Sequence, residues 1–196
     1  MEVRQIGFGA EAVVYSFNAF GRKLVIKYRK RKDYREKTLD DNLRKKRTNL
    51  EASILKKLEG IVDVPKVFIQ TQHSIIMSFE KGKSLLEIKG KERRVYLKKA
   101  GEALAKIHKL GIVHGDFTPA NILVEKRKVK VIDFGLAQFS NSIEEKAMDL
   151  LLMKRAIGKK EFNYFLKGYN TSEKEEIIKK MREIESRARY VERRWF

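Results

Sequence analysis

The 196-residue sequence contains no cysteine, which excludes disulfides, thiolate metal sites and a cysteine nucleophile. It also lacks any long apolar run. Stretches such as Ile122 to Val124 and Leu150 to Met153 fall far short of the roughly 20 residues needed to cross a bilayer, so no membrane partner is expected. Met1-Glu2-Val3-Arg4 opens the chain without an apolar signal segment, and a cytoplasmic location is the expectation. No internal repeat or low-complexity linker interrupts it, and His73 and His108 carry no metal-ligand spacing. Acidic residues are the scarce charge: 26 Asp and Glu stand against 45 Lys and Arg, for a net +19 and a pI near 10.0. That imbalance favours a polyanionic partner, while Lys and Glu abundance without Cys also fits the solvated surface of a heat-adapted protein.

What is present is a chain with 42% hydrophobic residues, enough to bury a core, and basic residues that cluster. Between Arg22 and Arg47 the sequence carries Arg22, Lys23, Lys27, Arg29, Lys30, Arg31, Lys32, Arg35, Lys37, Arg44, Lys45, Lys46 and Arg47 against only Asp33, Glu36, Asp40 and Asp41. The C-terminal stretch interleaves Arg187, Arg189, Arg193 and Arg194 with Tyr190 and Trp195, a mixture suited to phosphate pairing and base stacking.

The structural pattern changes near residue 80. Before it, β-favouring stretches at Val3 to Phe8, Val13 to Phe17, Lys23 to Tyr28, Val67 to Gln70 and Ser74 to Phe79 surround one helical stretch from about Thr38 to Leu58. After it, Val95, Ala100, Leu104 and Ile107 recur at helical spacing through about Glu92 to Leu110. Two short strands are predicted at Asn121 to Val124 and Val129 to Ile132, and helices dominate to the end. Ser172 with Glu175 three residues on reads as a capping box that opens a helix running to about Arg187.

Gly7-Phe8-Gly9-Ala10-Glu11-Ala12-Val13-Val14-Tyr15 lies between two predicted strands, where small residues let backbone N–H groups approach a triphosphate. A simple hairpin turn would also explain Gly7 and Gly9, and Ala12 stands where a third glycine is usual. Lys27 follows apolar Val25 and Ile26, which would set an ammonium beside phosphate oxygens, unless it is one more surface lysine. In the long helix Glu51 sits between Leu50 and Ile54-Leu55, where it can turn inward to hold Lys27; Glu36 and Glu59 are poorer placed. The stretch His114-Gly115-Asp116-Phe117-Thr118-Pro119-Ala120-Asn121 is followed after one hairpin by Val131-Ile132-Asp133-Phe134-Gly135. Phosphoryl transfer needs a carboxylate near the attacking oxygen, which suits Asp116, and hard oxygen ligands for Mg²⁺, which suit Asn121 and Asp133. His114 reads as a structural hydrogen-bonder to the Asp133 segment. Ser78, Phe79 and Glu80 join the two halves, where backbone groups would meet an adenine edge; ordinary core is the alternative.

Gly7/Gly9, Lys27, Glu51, Asp116, Asn121 and Asp133 occur in protein-kinase order, and the chain resembles that superfamily across roughly its first 140 residues. It departs from ordinary protein kinases at Gly115 and Thr118, where they have an arginine and a lysine. The run after Gly135 leads almost at once into Ile143 to Ala156, with no room for a long activation loop or an Ala-Pro-Glu motif. These departures, the Glu-Glu-Lys-Ala-x-Asp-Leu start at Glu144 to Leu150 and the Arg-rich end look like the KEOPS kinase family, PRPK in eukaryotes, over essentially the whole chain. The resemblance implies an α+β, minimal two-lobed protein-kinase-like fold as one domain over 1–196. Its antiparallel-sheet N-lobe would cover 1–79, and its reduced, mostly helical C-lobe 80–196.

The resemblance further implies ATP and Mg²⁺ as cofactors, with Ile6, Gly7, Phe8, Gly9, Val14, Lys27, Glu51, Ser78, Phe79 and Glu80 at the nucleotide. It implies serine/threonine autophosphorylation when alone and ATP hydrolysis on the KEOPS threonylcarbamoyl-transferase subunit, with other KEOPS subunits as partners. The tail residues Arg187, Arg189, Arg193 and Arg194 would touch tRNA, and Asp149 would brace the catalytic loop. Three other readings compete. A RIO-like kinase would carry an additional N-terminal module, whereas the glycine loop here begins within the first ten residues. An aminoglycoside-type phosphotransferase needs an acidic substrate lobe, for which residues 136–196 are too few and too basic. A nucleotide-dependent RNA-binding scaffold without turnover would not need Asp116, Asn121 and Asp133 intact.

Overall fold

The computed structural model describes residues 2–9 and 11–192, the last five by backbone alone. Ala10 of the glycine-rich loop and Arg193, Arg194 and Trp195 of the tail therefore lie outside the described residues. The first part is a five-stranded antiparallel sheet built from β1 (Val3–Phe8), β2 (Val13–Ala19), β3 (Arg22–Tyr28), β4 (Val67–Gln70) and β5 (Ser74–Ser78), in the order β1-β2-β3-β5-β4. Strand alternation puts Val25 and Lys27 of β3, and Arg29 directly after its last residue, on one buried face. Helix α1 (Lys37–Leu58) covers that face through Thr48, Glu51, Ala52, Leu55 and Leu58, which recur at the three- and four-residue spacing of one helical stripe. Its start is set by Glu36, whose carboxylate accepts the free N–H groups of Thr38 (2.9 Å) and Leu39 (2.7 Å).

After residue 80 come β6 (Lys83–Ser84), α2 (Lys91–Lys109), β7 (Ile112–Val113), a 3₁₀ turn at Pro119–Asn121, β8 (Ile122–Glu125), β9 (Lys128–Val131), β10 (Gln138–Phe139), α3 (Ile143–Gly168) and α4 (Lys174–Glu192). The strands make a small β6-β8-β9 sheet and a β10-β7 pair. That pair ties the short run after Gly135 directly to the segment before His114, and α3 begins immediately beyond it. The α3 helix is broken at Gly158, whose φ is +76°. Among the described residues no helix is long and apolar enough to cross a membrane.

Two local expectations are corrected. Val95 is exposed, and Leu97 takes the buried place on α2, because 97 lies three residues before Ala100 on the same face and 95 does not. The last helix opens at Lys174, so Glu173 and not Ser172 occupies the position before its first turn, and the Glu173 carboxylate pairs with buried Lys146.

The helical core depends on an unusually close crossing of α2 and α3. A Cβ on Gly101 would stand 2.1 Å from the Phe165 carbonyl oxygen, and one on Gly168 would stand 1.8 Å from that of Lys98. Both glycines thus let backbone meet backbone. Gly101→Ala is expected to destabilise the chain by about 1–3 kcal/mol, the usual cost of overpacking. Thermal unfolding would read this as a midpoint several degrees lower; an unchanged midpoint would mean that the helices do not approach so closely.

Candidate active site

Between the large sheet and the β8-β9 hairpin lies a cleft of about 270 Å³, lined by Ile6, Val14, Val25, Met77 and the Ser78-Phe79-Glu80 connection on one side and by Leu123 and Ile132 on the other. It continues under the glycine-rich turn into a second space of about 390 Å³ reached by Gly7, Phe8, Gly9, Lys27, Asp116 and Asp133. All thirteen residues expected at the nucleotide, the metal and the reacting group are therefore gathered around one connected cleft. Neither Gly7 nor Gly9 has a positive φ, and a Cβ at either would meet its neighbours at 3.4 Å or more. The backbone of the turn thus does not demand glycine there.

The polar end of the cleft is organised by ion pairs. Lys27 Nζ donates to Glu51 Oε1 (2.6 Å) and to Asp133 Oδ1 (2.7 Å). Burial works against the Lys27 charge, but the Glu51 and Asp133 carboxylates outweigh it and hold the ammonium above its ordinary pKa. Burial likewise opposes ionisation of Asp133, yet Lys27 and the Gly135 N–H keep it below the usual carboxylate value. Asp133 has a φ of +62°, a strained setting worth of order 1–3 kcal/mol that places its carboxylate at the cleft. Glu59 pairs on the surface with Lys66 at 2.9 Å and Glu36 caps α1, so of the three candidate glutamates Glu51 is the one turned inward.

The loop carrying Asp116 is held from behind. Asp149 of α3, fully buried, accepts the N–H groups of His114 (2.7 Å) and Gly115 (2.8 Å). Its Oδ2 also meets His108 Nε2 at 3.0 Å, and Nδ1 of that ring lies 2.6 Å from the Tyr169 hydroxyl. Asn121 Nδ2 donates to the Asp116 carbonyl oxygen and to its Oδ2, both at 2.9 Å, which orients the carboxylate and leaves the Asn121 side-chain Oδ1 for another partner. His114 is buried and its pKa is pushed down by that burial, against the pull of Asp149. Its Nε2 lies 3.3 Å from the Ile132 carbonyl oxygen and its Nδ1 accepts the Asp116 N–H at 3.3 Å, so it staples the Asp116 loop to the Asp133 segment. Gly115 has a φ of +78°, and a Cβ there would stand 2.5 Å from the Leu136 carbonyl oxygen; this chain has no space for the arginine found in ordinary kinases.

The family described as "Protein kinase domain" matches residues 1–163. The KEOPS complex subunit Bud32 of Pyrococcus abyssi is 39% identical over 95% of this chain and 96% of its own. This chain belongs to the Bud32 branch of the protein kinases. A probable bifunctional tRNA threonylcarbamoyladenosine biosynthesis protein of Methanobrevibacter smithii is 37% identical over 95% of the chain, which spans 36% of that longer protein. Aminoglycoside phosphotransferase APH(2'')-Ib, solved with ADP, superposes with a TM-score of 0.65 at 17% identity over 92% of this chain and 81% of its own, a likeness of fold alone. Membership of the Bud32 branch makes the chain an enzyme of the kinase and ATPase class.

Sequence reasoning missed several contributors. Arg29, counted with the basic cluster, is 2% exposed and donates through Nη2 to Glu51 Oε2 at 2.5 Å. Its place two residues from Lys27 on the same strand face was the signal. Arg35 and Arg47, from the same cluster, pair with Glu11 of the glycine-rich loop, and Arg44 pairs with buried Asp40 at 2.7 Å, so part of that cluster is internal and not open to a polyanion. The His108–Tyr169 contact joins residues far apart in sequence and left no local pattern.

Asp149→Asn would keep the shape and lose one acceptor for the buried N–H groups. A stability loss of about 2–3 kcal/mol is expected for such a charge-assisted bond. Denaturant unfolding measures it, and wild-type stability would mean that Asp149 does not brace the loop.

Proposed function

We propose that this chain is an ATP-dependent phosphotransferase, a serine/threonine protein kinase that autophosphorylates when alone, and an ATPase. In this reading it serves the KEOPS complex in threonylcarbamoyl-adenosine modification of tRNA, with residues 1–79 and 80–196 as the two lobes of one domain. The observation that carries the phosphotransfer reading is the convergence of Lys27, Asp133, Asn121 and Asp116 at one end of an apolar cleft, with Lys27 already paired to Glu51.

The residues present fit ATP and Mg²⁺. Apolar Ile6, Val14, Val25 and Leu123 can sandwich a planar base. At the connecting segment the Ser78 N–H is already engaged by the Lys66 carbonyl oxygen (2.9 Å) and the Phe79 N–H faces that of Lys23 (3.4 Å), which leaves the Glu80 N–H as the donor for the base. The Glu80 side chain is held by Ser78 and by Lys130 at 2.8 Å, so this segment is tied to the β8-β9 hairpin by its own contacts. Asp133 and the side-chain amide oxygen Oδ1 of Asn121 are the hard donors that would hold Mg²⁺, with phosphate oxygens and water completing its shell. Bound there, the ion supplies charge neutralisation on the phosphates. Lys27 sits where it would meet phosphate oxygens, and since the turn does not need Gly7 and Gly9 for its own backbone, close approach of phosphate is the remaining reason for them. Asp116, aimed by Asn121, orients the attacking hydroxyl or water. Neutral His114 is a staple and takes no part in proton transfer.

Assignment to KEOPS is supported by a relative that aligns along nearly the whole chain and carries that name. The bifunctional relative, in which this unit is about a third of the length, supports a partner acting in the same modification, the threonylcarbamoyl-transferase subunit, with other KEOPS subunits around it. A cytoplasmic location goes with this reading. For tRNA, Arg187 is exposed near the end of α4, whose backbone also carries Arg189.

The test is ATP turnover with Mg²⁺ by the purified chain, alone and with the transferase subunit and tRNA. Asp133→Ala should lower turnover by about a hundredfold or more, since lesser changes around a metal already cost roughly 10- to 100-fold. Turnover that survives in Asp133→Ala, or a transferase subunit that neither binds nor alters the rate, would refute the respective half of the reading. Separately, tRNA affinity should fall steeply with salt, and removal of residues 187–196 should make that slope shallower by about one unit per lost phosphate contact. An unchanged slope would place tRNA elsewhere.

A further inference from the structure

Ordinary protein kinases make and break the lysine–glutamate pair by moving the helix that carries the glutamate, under control of a phosphorylated activation segment. In this chain residues 136–142 are all that separate the Asp-Phe-Gly stretch from α3, and β10 is pinned to β7. The C-terminal end of α1 rests against that short segment, with Lys57 over the Phe139 ring at 5.0 Å and bonded to the Leu110 carbonyl oxygen. Glu51 lies two turns away from this prop, and a different residue holds it.

That residue is Arg29. Glu51 is buried, and its two oxygens are divided between two cations: Oε1 to Lys27 and Oε2 to Arg29 at 2.5 Å. The same Nη2 approaches the Arg47 carbonyl oxygen at 3.4 Å, one helical turn before Glu51, while Arg44 Nη1 reaches back to the Arg29 carbonyl oxygen at 3.4 Å. Arg47 in turn pairs with Glu11 in the glycine-rich loop. Arg29 thus ties the end of β3 to helix α1, and the Arg47 guanidinium carries the link on from α1 to the loop over the phosphate end. Without Arg29 one oxygen of this buried carboxylate would lose its donor, a cost that is relieved when the helix turns toward water. With Arg29 present, the two cations Lys27 and Arg29 balance the two carboxylates Glu51 and Asp133.

We propose that Arg29 is a positioning residue that keeps α1 docked and the Lys27–Glu51 pair made before nucleotide arrives, the task that an activation segment performs in ordinary kinases. This rests on the reading of the cleft as an ATP site. Its test is hydrogen–deuterium exchange on the nucleotide-free chain, paired with calorimetric titration of MgADP. In Arg29→Met, amides across 47–55 of α1 should exchange about tenfold faster or more, the size expected for one lost charge-assisted bond, while α3 keeps wild-type protection. MgADP should bind about tenfold more weakly, and the same substitution placed in a Glu51→Gln background should cost little more, because Arg29 acts through Glu51.

Unchanged exchange in α1, or exchange raised equally in α3, overturns the proposal. So does an undiminished loss of MgADP affinity in the Glu51→Gln background, which would mean that Arg29 meets the nucleotide itself. If Arg29→Met does not fold, Arg29→Gln, which keeps a donor without the charge, carries the same comparison. A wild-type chain that binds no MgADP would sink the ATP reading, and the exchange experiment would still decide the role of Arg29.

Discussion

The buried carboxylate of Glu51 imposes the constraint on which the phosphate end of the cleft is built. Two oxygens removed from water need donors, and the fold brings them from one extended run: Lys27 in β3 and Arg29 just past its end face the same way because side chains alternate along extended backbone. Once both are engaged, α1 has one position against the sheet, Lys27 has one position in the cleft, and its second contact fixes Asp133. A charged pair of this kind contributes little as a source of stability, since desolvation offsets much of the attraction. Its consequence is specificity of arrangement, which a phosphate site requires.

A second carboxylate performs the same service for the opposite wall. Asp149 accepts two backbone N–H groups of the loop that carries Asp116, and the His108–Tyr169 contact completes its surroundings. Here the anion orients backbone where Glu51 orients cations. His114 then links this loop to the Asp133 strand, so the two walls are joined by an uncharged ring that has no free nitrogen for chemistry. The close α2–α3 crossing at Gly101 and Gly168 lies next to Tyr169 and brings that end of α3 against the helix that carries His108. Packing in the helical half therefore sets the geometry of a loop that touches the cleft.

The excess of positive charge divides into two populations with different physics. Lys27, Arg29, Arg35, Arg44 and Arg47 are engaged by the carboxylates of Glu51, Asp133, Asp40 and Glu11. Arg22, Lys30, Arg31, Lys37, Lys45 and Lys46 remain exposed around them and retain the long-range field that draws a polyanion. Composition alone cannot separate these populations, since a buried and a solvated arginine look identical in a count.

Much of the sheet and the long helices was legible because alternation of period two and stripes of period 3.6 are local properties, as at Val25, Lys27 and Arg29 or at Thr48, Glu51, Leu55 and Leu58. The same locality made Lys27, Glu51, Asp116, Asn121 and Asp133 recognisable, since each stands in a short motif and their order along the chain is itself informative. Where local signals were ambiguous they misled: Val95 and Leu97 both fit a helix and differ only in which side faces α3, and Ser172 looked like a cap one residue before the true one. What the sequence by itself determined is thus the inventory of reacting groups and the elements that carry them. Tertiary structure alone decided which cations are consumed by Glu51, why Gly115 replaces an arginine, and how Tyr169 and His108 come to stand behind Asp149. These depend on contacts between residues tens of positions apart, and the physical reason is burial: a group's partners and its distance from water exist only once the chain has closed on itself.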